Sequence, residues 1–230
     1  MHVDEGTYHC EDCDAEFASK ALLSVVELGT QGPIGAPRPI IERPYHLSYP
    51  FVFERDGQVW MLPEASAARR LDLLRATAFP FEWEHAATLI EGPELSDATL
   101  VEHGDKLWLF GSQGGEGASS WDNLHLWSAQ HLTGDWHPHD RNPVLIDASS
   151  ARPAGAMYRL GGQLWRPAQD CTRGYGSGLT IARVAKLDDE AFEQEEIASV
   201  GPSPAWPGIG LHTLNTAGEF EVVDGASPRR

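Results

Sequence analysis

The chain has 230 residues, a length that can form one sizeable all-β domain. Its 34 acidic and 17 basic residues leave a formal net charge of −17, which argues against nucleic acid or an anionic membrane as a partner, because both need a basic face. No apolar run approaches the ~20 residues of a membrane span, and no signal peptide is apparent, so we expect a soluble chain with an acidic surface.

The first 43 residues predict an incomplete repeat unit of β-strands. Residues 21–29 (ALLSVVELG) have the apolar pattern of a third strand, and residues 40–44 (IIERP) have that of the strand that closes the unit. Met1 falls after the place where the first strand of this unit would lie. We therefore expect a partial first unit at about residues 1–43, and a chain that is the remainder of a longer protein or has a misassigned start.

The three cysteines, Cys10, Cys13 and Cys171, are an odd number in a chain without an apparent signal peptide, which favours a reducing compartment over a disulfide framework. We therefore expect a cytoplasmic location. Cys10 and Cys13 have the spacing of a zinc-binding pair, but a structural zinc needs four ligands and no second pair follows. The sequence predicts no metal and no cofactor.

A hairpin pattern occurs three times in the middle of the chain. It consists of an apolar strand, a tight turn that contains glycine, and a strand that carries a tryptophan, and it spans residues 51–64, 99–111 and 156–169. The turns are Asp56-Gly57, Gly104-Asp105 and Gly161-Gly162, and the tryptophans are Trp60, Trp108 and Trp165. Glycine supplies the positive φ angles of two-residue hairpin turns, and tryptophan favours the half-buried surface of a sheet.

A second repeated pattern follows each of the first two hairpins, and its two copies lie 53 residues apart. Leu71, Leu73, Ala76 and Trp83 recur as Leu124, Leu126, Ala129 and Trp136. Repeats of about 40–50 residues with four strands each are typical of β-propeller blades. The sequence therefore predicts an all-β propeller, a single domain over residues 1–230, with blades at about 45–92, 95–147 and 151–200 and a partial blade at 209–225.

Two details concern the blades themselves. Residues 187–196 (LDDEAFEQEE) predict a short helical turn. His137 and His139 alternate along one strand, a spacing found in some two-ligand metal sites. Because they directly follow Trp136, we expect both histidines at the exposed outer edge of a blade.

Polar residues recur where the innermost strand of each predicted blade begins. They are His46, Ser48 and Tyr49 in the second blade, Asp97 in the third, Arg152 in the fourth and His212 in the fifth. Because innermost strands surround the axis of a propeller, we expect these side chains to line a central ligand pocket. Residues at the ends of second strands or in the following loops would form its rim: Glu64, Arg166, Gln169, Asp170 and Tyr175.

Two roles stay open for the charged residues of this set. Arg152 could bind a carboxylate or a phosphate through two parallel hydrogen bonds, which would suit a sugar phosphate or a uronate as ligand. Alternatively, Arg152, Arg166 and Asp170 form salt bridges that tie neighbouring blades together. Asp97 needs either an internal partner or a ligand above it.

Six segments carry a family resemblance: residues 45–64 (YHLSYPFVFERDGQVWMLPE), 96–110 (SDATLVEHGDKLWLF), 134–144 (GDWHPHDRNPV), 150–155 (SARPAG), 166–176 (RPAQDCTRGYG) and 210–215 (GLHTLN). Together they resemble the N-terminal domain of plant glucosamine inositolphosphorylceramide transferases; similar bacterial domains exist, some attached to formyltransferase-like modules. The resemblance implies a five-bladed propeller related to the arabinanase, levansucrase and invertase glycosidases, with an incomplete first blade here.

The resemblance also bears on catalysis. The related glycosidases use three acidic residues from successive inner strands, whereas this chain lacks the Asp-Pro-Phe strand that would supply the first. Asp97 resembles the second, and the place of the acid glutamate is occupied by the segment Ala151-Arg152-Pro153-Ala154-Gly155. Glycoside hydrolysis needs two carboxylates beside the scissile bond, so we do not expect glycosidase activity by that mechanism.

Three functions remain open. The first is a module that recognises a glycan or a sugar phosphate and serves a transferase domain or chain. The second is a glycan-active enzyme with Asp97 and Glu64 as candidate catalytic carboxylates. The third is a structural or protein-interaction propeller, or a decayed fragment. The expected ligand is a carbohydrate or sugar phosphate, with no nucleic acid and no membrane as partner.

Overall fold

The computed structural model describes residues 3–4, 7–10, 15–18, 21–115, 119–204, 208–218 and 220–226, with side chains from residue 21 onward. These residues form an all-β structure whose single helical element is a 3₁₀ turn at Ser66–Ala68. The chain divides into two compact units, Met1–Glu94 and Leu95–Arg230. The single domain expected from the sequence therefore stays a prediction, and each unit is described by itself.

Over its described residues, the first unit contains nine strands in three antiparallel sheets. The order of each sheet follows the chain. The strands are β1 (Val3–Asp4), β2 (Thr7–Cys10) and β3 (Ala15–Ala18) in one sheet, β4 (Ala21–Gly29) and β5 (Gly32–Arg43) in a hairpin, and β6 (Ser48–Arg55), β7 (Gln58–Glu64), β8 (Arg70–Ala78) and β9 (Glu82–Glu91) in a four-stranded sheet.

The second unit contains the remaining described strands, again in antiparallel sheets that follow chain order. The first sheet holds β10 (Glu94–His103), β11 (Lys106–Gly114), β12 (Asn123–Ala129), β13 (His137–Pro138) and β14 (Leu145–Ile146), and both β13 and β14 pair with β12. The second holds β15 (Tyr158–Leu160), β16 (Gln163–Asp170), β17 (Gly178–Leu187) and β18 (Phe192–Val200), and β19 (Gly210–Ala217) and β20 (Phe220–Ala226) form a hairpin.

Within each unit, successive sheets pack against each other through apolar side chains. In the first unit, Leu23 and Ile41 of the β4–β5 hairpin pack with Met61 and Leu74 of the next sheet. In the second, a core cluster joins the β10–β14 sheet to the β15–β18 sheet: Trp108, Phe110, Leu124, Leu126, Leu164, Val184 and Leu187. Sheets that stack in chain order through their faces are the arrangement of propeller blades.

The leucines that the repeat had aligned occupy equivalent core positions. Leu71, Leu73, Leu124 and Leu126 are all at most 1% exposed. The three hairpin tryptophans are equivalent as well, because each donates its indole N–H to the backbone carbonyl five residues earlier. The acceptors are Arg55 for Trp60 at 3.3 Å, His103 for Trp108 at 3.3 Å and Leu160 for Trp165 at 3.2 Å. The repeat therefore predicted these positions correctly.

The expected helical turn at residues 187–196 was wrong. β17 ends at Leu187 and β18 begins at Phe192, so residues 188–191 connect the two strands and the rest of the segment is extended. The carboxylate of Asp188 accepts hydrogen bonds from the backbone N–H groups of Glu190 and Ala191, each at 2.9 Å. Such a local turn closed by an aspartate side chain competes with a helix, which explains the difference.

His139 also departs from the expectation of an exposed edge, whereas His137 is exposed. The imidazole of His139 is 7% exposed and lies 6.4 Å from the ring of Trp108, measured between ring centroids. Its Nε2 is 3.1 Å from the backbone oxygen of Asp188, which belongs to the next sheet. His139 therefore helps to hold two sheets of the second unit together.

The β19–β20 hairpin joins the rest of the second unit at Gly155. The backbone N–H of Leu214 donates to the Ala154 oxygen at 2.8 Å, and a Cβ atom on Gly155 would lie 2.0 Å from the Leu214 oxygen. Gly155 has a φ of 113°, and Gly162 has a φ of 77° with no atom within 4 Å of such a Cβ. Both glycines therefore have a positive φ, but only at Gly155 would a Cβ atom meet a neighbouring backbone.

We predict that Gly155→Ala destabilises the protein much more than Gly162→Ala. Each substitution costs about 1–2 kcal/mol for a positive φ at a residue with a side chain. At Gly155 the clash with backbone adds about 1–3 kcal/mol, because the hairpin must move. Urea unfolding of both variants measures the difference, and equal free energies of unfolding would show that the hairpin does not depend on this close approach.

Candidate functional site

A buried ion pair lies in the second unit, between Asp97 and Arg152. Asp97, on β10, has a φ of 53°, a left-handed conformation that side chains rarely adopt. Its Oδ2 accepts a hydrogen bond from Nε of Arg152 at 2.6 Å, and the two side chains are 2% and 1% exposed. A strained backbone at a buried charged residue indicates that the surrounding structure fixes this carboxylate in place.

The carboxylate of Asp97 is shared with a third side chain. Nε2 of Gln169, at the end of β16, donates to the same Oδ2 at 2.7 Å and to the backbone oxygen of Pro153 at 3.0 Å. Arg152 in turn donates to the Ser120 hydroxyl at 2.9 Å. These bonds tie β10, β16 and the loops before β12 and β15, so the geometry of Arg152 fits the inter-blade role that the sequence had left open.

Arg166 is a second buried tie and does not lie on an exposed rim. It is 1% exposed, and its guanidinium donates to the backbone oxygens of Ser150, at 2.7 Å, and Ala151. It also donates to the side-chain oxygen of Gln194 at 2.9 Å. The repeat carried a signal for this burial, because Met61 and Leu109 follow their tryptophans as Arg166 follows Trp165, and all three are buried.

The remaining predicted residues of this unit, with one exception, form a half-buried layer beside the ion pair. The ring of Tyr175 lies 4.9 Å from Cζ of Arg152, and the ring centroids of Tyr175 and His212 are 4.9 Å apart. Trp121 adds a third ring, 5.8 Å from that of Tyr175. The exception is Asp170, whose carboxylate accepts bonds from the backbone and hydroxyl of Thr172 and so closes a local turn.

Sequence reasoning missed Trp121. It lies between β11 and β12 in a glycine-rich loop that has no counterpart in the other repeats, so alignment of the repeats gave no signal. Flat aromatic faces in a half-buried layer are suited to contact with the C–H faces of sugars. Trp121, Tyr175 and His212, together called the aromatic layer below, therefore provide the surface above the buried ion pair.

His212 links the aromatic layer to a further carboxylate that the sequence had not singled out. Its Nδ1 is 3.3 Å from Oδ2 of Asp224 on β20, and its Nε2 is hydrogen-bonded to the Tyr175 hydroxyl. Burial lowers the pKa of His212, but the bond to Asp224 and the charge of Asp97 outweigh burial and raise this pKa above its ordinary value. Burial likewise raises the pKa of Asp224, and bonds from His212 and Thr213 outweigh it and lower this pKa.

Four predicted residues, His46, Ser48, Tyr49 and Glu64, lie in the first unit. Ser48 pairs with Glu64 across β6 and β7, and Glu64 is 4% exposed with its Oε1 3.4 Å from the Ser66 hydroxyl. Tyr49 lies at a register shift between Ser48 and Phe51 and has a φ of 39°. It precedes Trp60 by the same eleven residues that separate Asp97 from Trp108, so the left-handed backbone recurs at equivalent positions. Their predicted convergence with the second unit stays a prediction.

The described side chains include no group of three or more histidine, cysteine, aspartate or glutamate residues arranged to hold a metal ion. Cys13 and the side chain of Cys10 lie outside the described residues. Over the described ranges, no helix is both long and apolar enough to cross a membrane.

We predict that Arg152→Ala lowers the free energy of unfolding by about 3–5 kcal/mol, because it leaves the Asp97 carboxylate buried without its cation. The matched control is Arg183→Ala, which removes an ion pair with Glu195 whose side chains are 40% and 56% exposed, and costs at most about 1 kcal/mol. Adding Asp97→Asn to Arg152→Ala should recover part of the loss. A loss no larger than that of Arg183→Ala in denaturant titration would contradict the buried pair.

The family comparison matches most of the chain. Residues 35–219 match the family described as "Glucosamine inositolphosphorylceramide transferase 1, N-terminal". The protein of that name from Arabidopsis thaliana is 32% identical over 218 residues, covering 89% of this chain and 28% of the relative. The one from Oryza sativa subsp. japonica is 32% identical over 221 residues, covering 85% and 29%. The chain thus spans less than a third of the length of these relatives.

Solved structures with a similar fold are glycoside hydrolases. An exo-beta-1,3-galactanase from Phanerochaete chrysosporium has a TM-score of 0.56 at 14% identity, covering 81% of this chain and 46% of that one. The arabinanase of Bacillus subtilis has a TM-score of 0.53 at 13% identity, covering 77% and 64%. Identities this low show the fold alone, which is the β-propeller of family-43 glycosidases. The chain therefore belongs to the family of N-terminal domains of glucosamine inositolphosphorylceramide transferases.

Proposed function

We propose that this chain is a carbohydrate-recognising β-propeller that serves a glycosyltransferase, either as one of its domains or as a separate chain. The single observation that carries the proposal is the aromatic layer, Trp121, Tyr175 and His212, beside the buried ion pair of Asp97 and Arg152. Aromatic faces with hydrogen-bonding groups at their edges are typical of sugar-binding surfaces. Family membership supports a carbohydrate-related role.

The buried polar groups hold the aromatic layer in a fixed position. Gln169 and Arg152 are 0% and 1% exposed, so they act on a ligand through the residues that they position. This support reduces the loss of side-chain freedom on ligand binding, because the ring of Tyr175 already has a defined position over Arg152. In this proposal Arg152 supports the site, and the ligand contacts the aromatic layer.

The enzymatic alternative, with Asp97 and Glu64 as catalytic carboxylates, has less support. Both side chains are buried, and Asp97 shares one oxygen between Arg152 and Gln169. A catalytic carboxylate must reach the scissile bond or the attacking water. We therefore propose recognition without hydrolysis, by a propeller with the five blades that the family resemblance implies.

We predict that Trp121→Ala weakens sugar binding about three- to tenfold, because an aromatic contact is worth about 0.5–1.5 kcal/mol beyond the area it buries. Isothermal titration with glucosamine, myo-inositol phosphate and glucose measures the affinities. Trp165→Ala is the matched control, since Trp165 is also half-buried but bonds to Leu160, the last residue of β15, beside the hairpin turn.

The proposal would be wrong if none of these ligands bound, or if Trp165→Ala weakened binding as much as Trp121→Ala. Turnover of a nitrophenyl glycoside that disappears in Asp97→Asn would favour the enzymatic alternative. Melting temperatures of the variants, measured without ligand, separate loss of binding from loss of folding.

A further inference from the structure

Three side chains in and beside the aromatic layer form a hydrogen-bonded series: Tyr175, His212 and Asp224. The hydroxyl of Tyr175 is bonded to Nε2 of His212, and Nδ1 of His212 lies 3.3 Å from Asp224. The backbone and hydroxyl of Thr213 donate to the other Asp224 oxygen, the hydroxyl at 3.0 Å. The side chains of His212 and Asp224 are 25% and 57% exposed, so a ligand can approach this hydrogen-bonded series from solvent.

The donor and acceptor roles in this series follow from the chemistry of Asp224 and Tyr175, the groups at its two ends. An ionised Asp224 can only accept, so the hydrogen of the His212–Asp224 bond belongs to Nδ1. Nε2 then has two possible states. Without a proton, it accepts the hydrogen of the Tyr175 hydroxyl. With a proton, it donates to the Tyr175 oxygen, and the phenolic hydrogen is directed away from His212 toward another acceptor.

The charged groups that act on His212 lie on different elements of the second unit. Asp224 lies on β20, Asp97 on β10, and Arg152 precedes β15, while Tyr175 belongs to the loop between β16 and β17. Two carboxylates and one guanidinium leave this group with a net negative charge when His212 is neutral. A second proton on His212 brings the sum to zero and at the same time turns the hydrogen of the Tyr175 hydroxyl away from His212, so that this hydroxyl can donate to another acceptor.

We propose that Tyr175 and His212 form an oxyanion subsite for the phosphate or carboxylate of a sugar ligand, which binds when His212 carries its second proton. This inference rests on the proposed function and adds the chemical class of the ligand. The imidazolium supplies positive charge, the Tyr175 hydroxyl donates to the oxyanion, and Asp224 holds the imidazole ring in position. Trp121 lies next to Tyr175, where the sugar ring would stack.

The pH dependence of binding follows from the direction of the His212 shift. The pKa of His212 is raised, so its second proton is held at a higher pH than in an ordinary histidine. Binding of an oxyanion is therefore present below this raised pKa and is lost as pH rises through it. Linkage requires that oxyanion binding also raises the pKa further, because the ligand binds the protonated form better.

We predict that glucose 6-phosphate and glucuronate bind at least about tenfold more tightly than glucose at about pH 6, and no more than about threefold more tightly at about pH 8.5. Isothermal titration gives the affinities, and comparison of the two anionic ligands distinguishes phosphate from carboxylate. Inorganic phosphate serves as a probe without a sugar. NMR of the His212 ring resonances in phosphate should show an upward shift of its titration midpoint.

Three variants test the roles of the residues. At about pH 6, His212→Asn and Tyr175→Phe should each lower the ratio of glucose 6-phosphate affinity to glucose affinity from at least about tenfold to at most about threefold, whatever they do to glucose binding itself. Tyr175→Phe keeps the ring over Arg152, so the fold has a reason to survive. The matched control is His137→Asn, since His137 is an exposed histidine of the same unit. It should keep the preference and its pH dependence.

The inference would be overturned if glucose and glucose 6-phosphate bound equally at about pH 6, if the preference did not change with pH, or if neither phosphate nor any anionic sugar bound. Phosphate that bound and shifted the His212 titration, with no binding of any sugar, would uphold the subsite and contradict carbohydrate recognition. Should a variant fail to fold, the pH profile and the NMR titration of the unaltered chain still decide.

Discussion

The second unit depends on neutralising one carboxylate that water cannot reach. Asp97 is buried in a left-handed backbone conformation, and an isolated buried charge would cost far more free energy than a domain has to spare. Arg152 and Gln169 must therefore approach it from two other elements. Their positions then fix the loops on which the exposed residues of the site lie, since Arg152 also bonds to Ser120, next to Trp121.

This arrangement divides the site into two layers with different roles. The lower layer of Asp97, Arg152 and Gln169 is closed to solvent and holds sheets together. The upper layer of Trp121, Tyr175 and His212 is half-buried and can meet a ligand. A substitution in the lower layer acts on stability first, whereas one in the upper layer acts on binding first. Measurements of affinity in lower-layer variants are therefore informative only beside their unfolding curves.

Much of the fold could be predicted because the apolar residues of the sequence repeat are the ones that are buried in the sheets. Alternating leucines and the recurring tryptophans marked equivalent strands, and the structure places them in equivalent environments. Most of the residues that the second unit brings together were also singled out from strand starts and ends, and their role in a ligand pocket stays a prediction. The exposure of each residue was harder to predict. Arg166 was expected on a rim, although the repeat position that it shares with Met61 and Leu109 is a core position.

The residues that the sequence did not reveal depend on contacts between distant segments. Trp121 lies in a loop without a repeat counterpart, and Asp224 lies on β20, the second strand of the last hairpin, in a sequence pattern that did not distinguish it from an ordinary surface aspartate. His139 looked exposed until the Asp188 turn of the next sheet covered it. Spacing along the chain contains no information about such contacts, because they arise only when sheets stack.

The position of Arg152 supports the proposed role of recognition without hydrolysis. By resemblance, the segment Ala151–Gly155 occupies the place where related glycosidases carry their acid glutamate. Two carboxylates that flank a bond need space for the substrate, on the order of 5 Å or more between them. A cation at one of these positions instead draws the remaining carboxylate to 2.6 Å and closes that space. In the proposed function this ion pair is structural, and the ligand contacts lie in the aromatic layer.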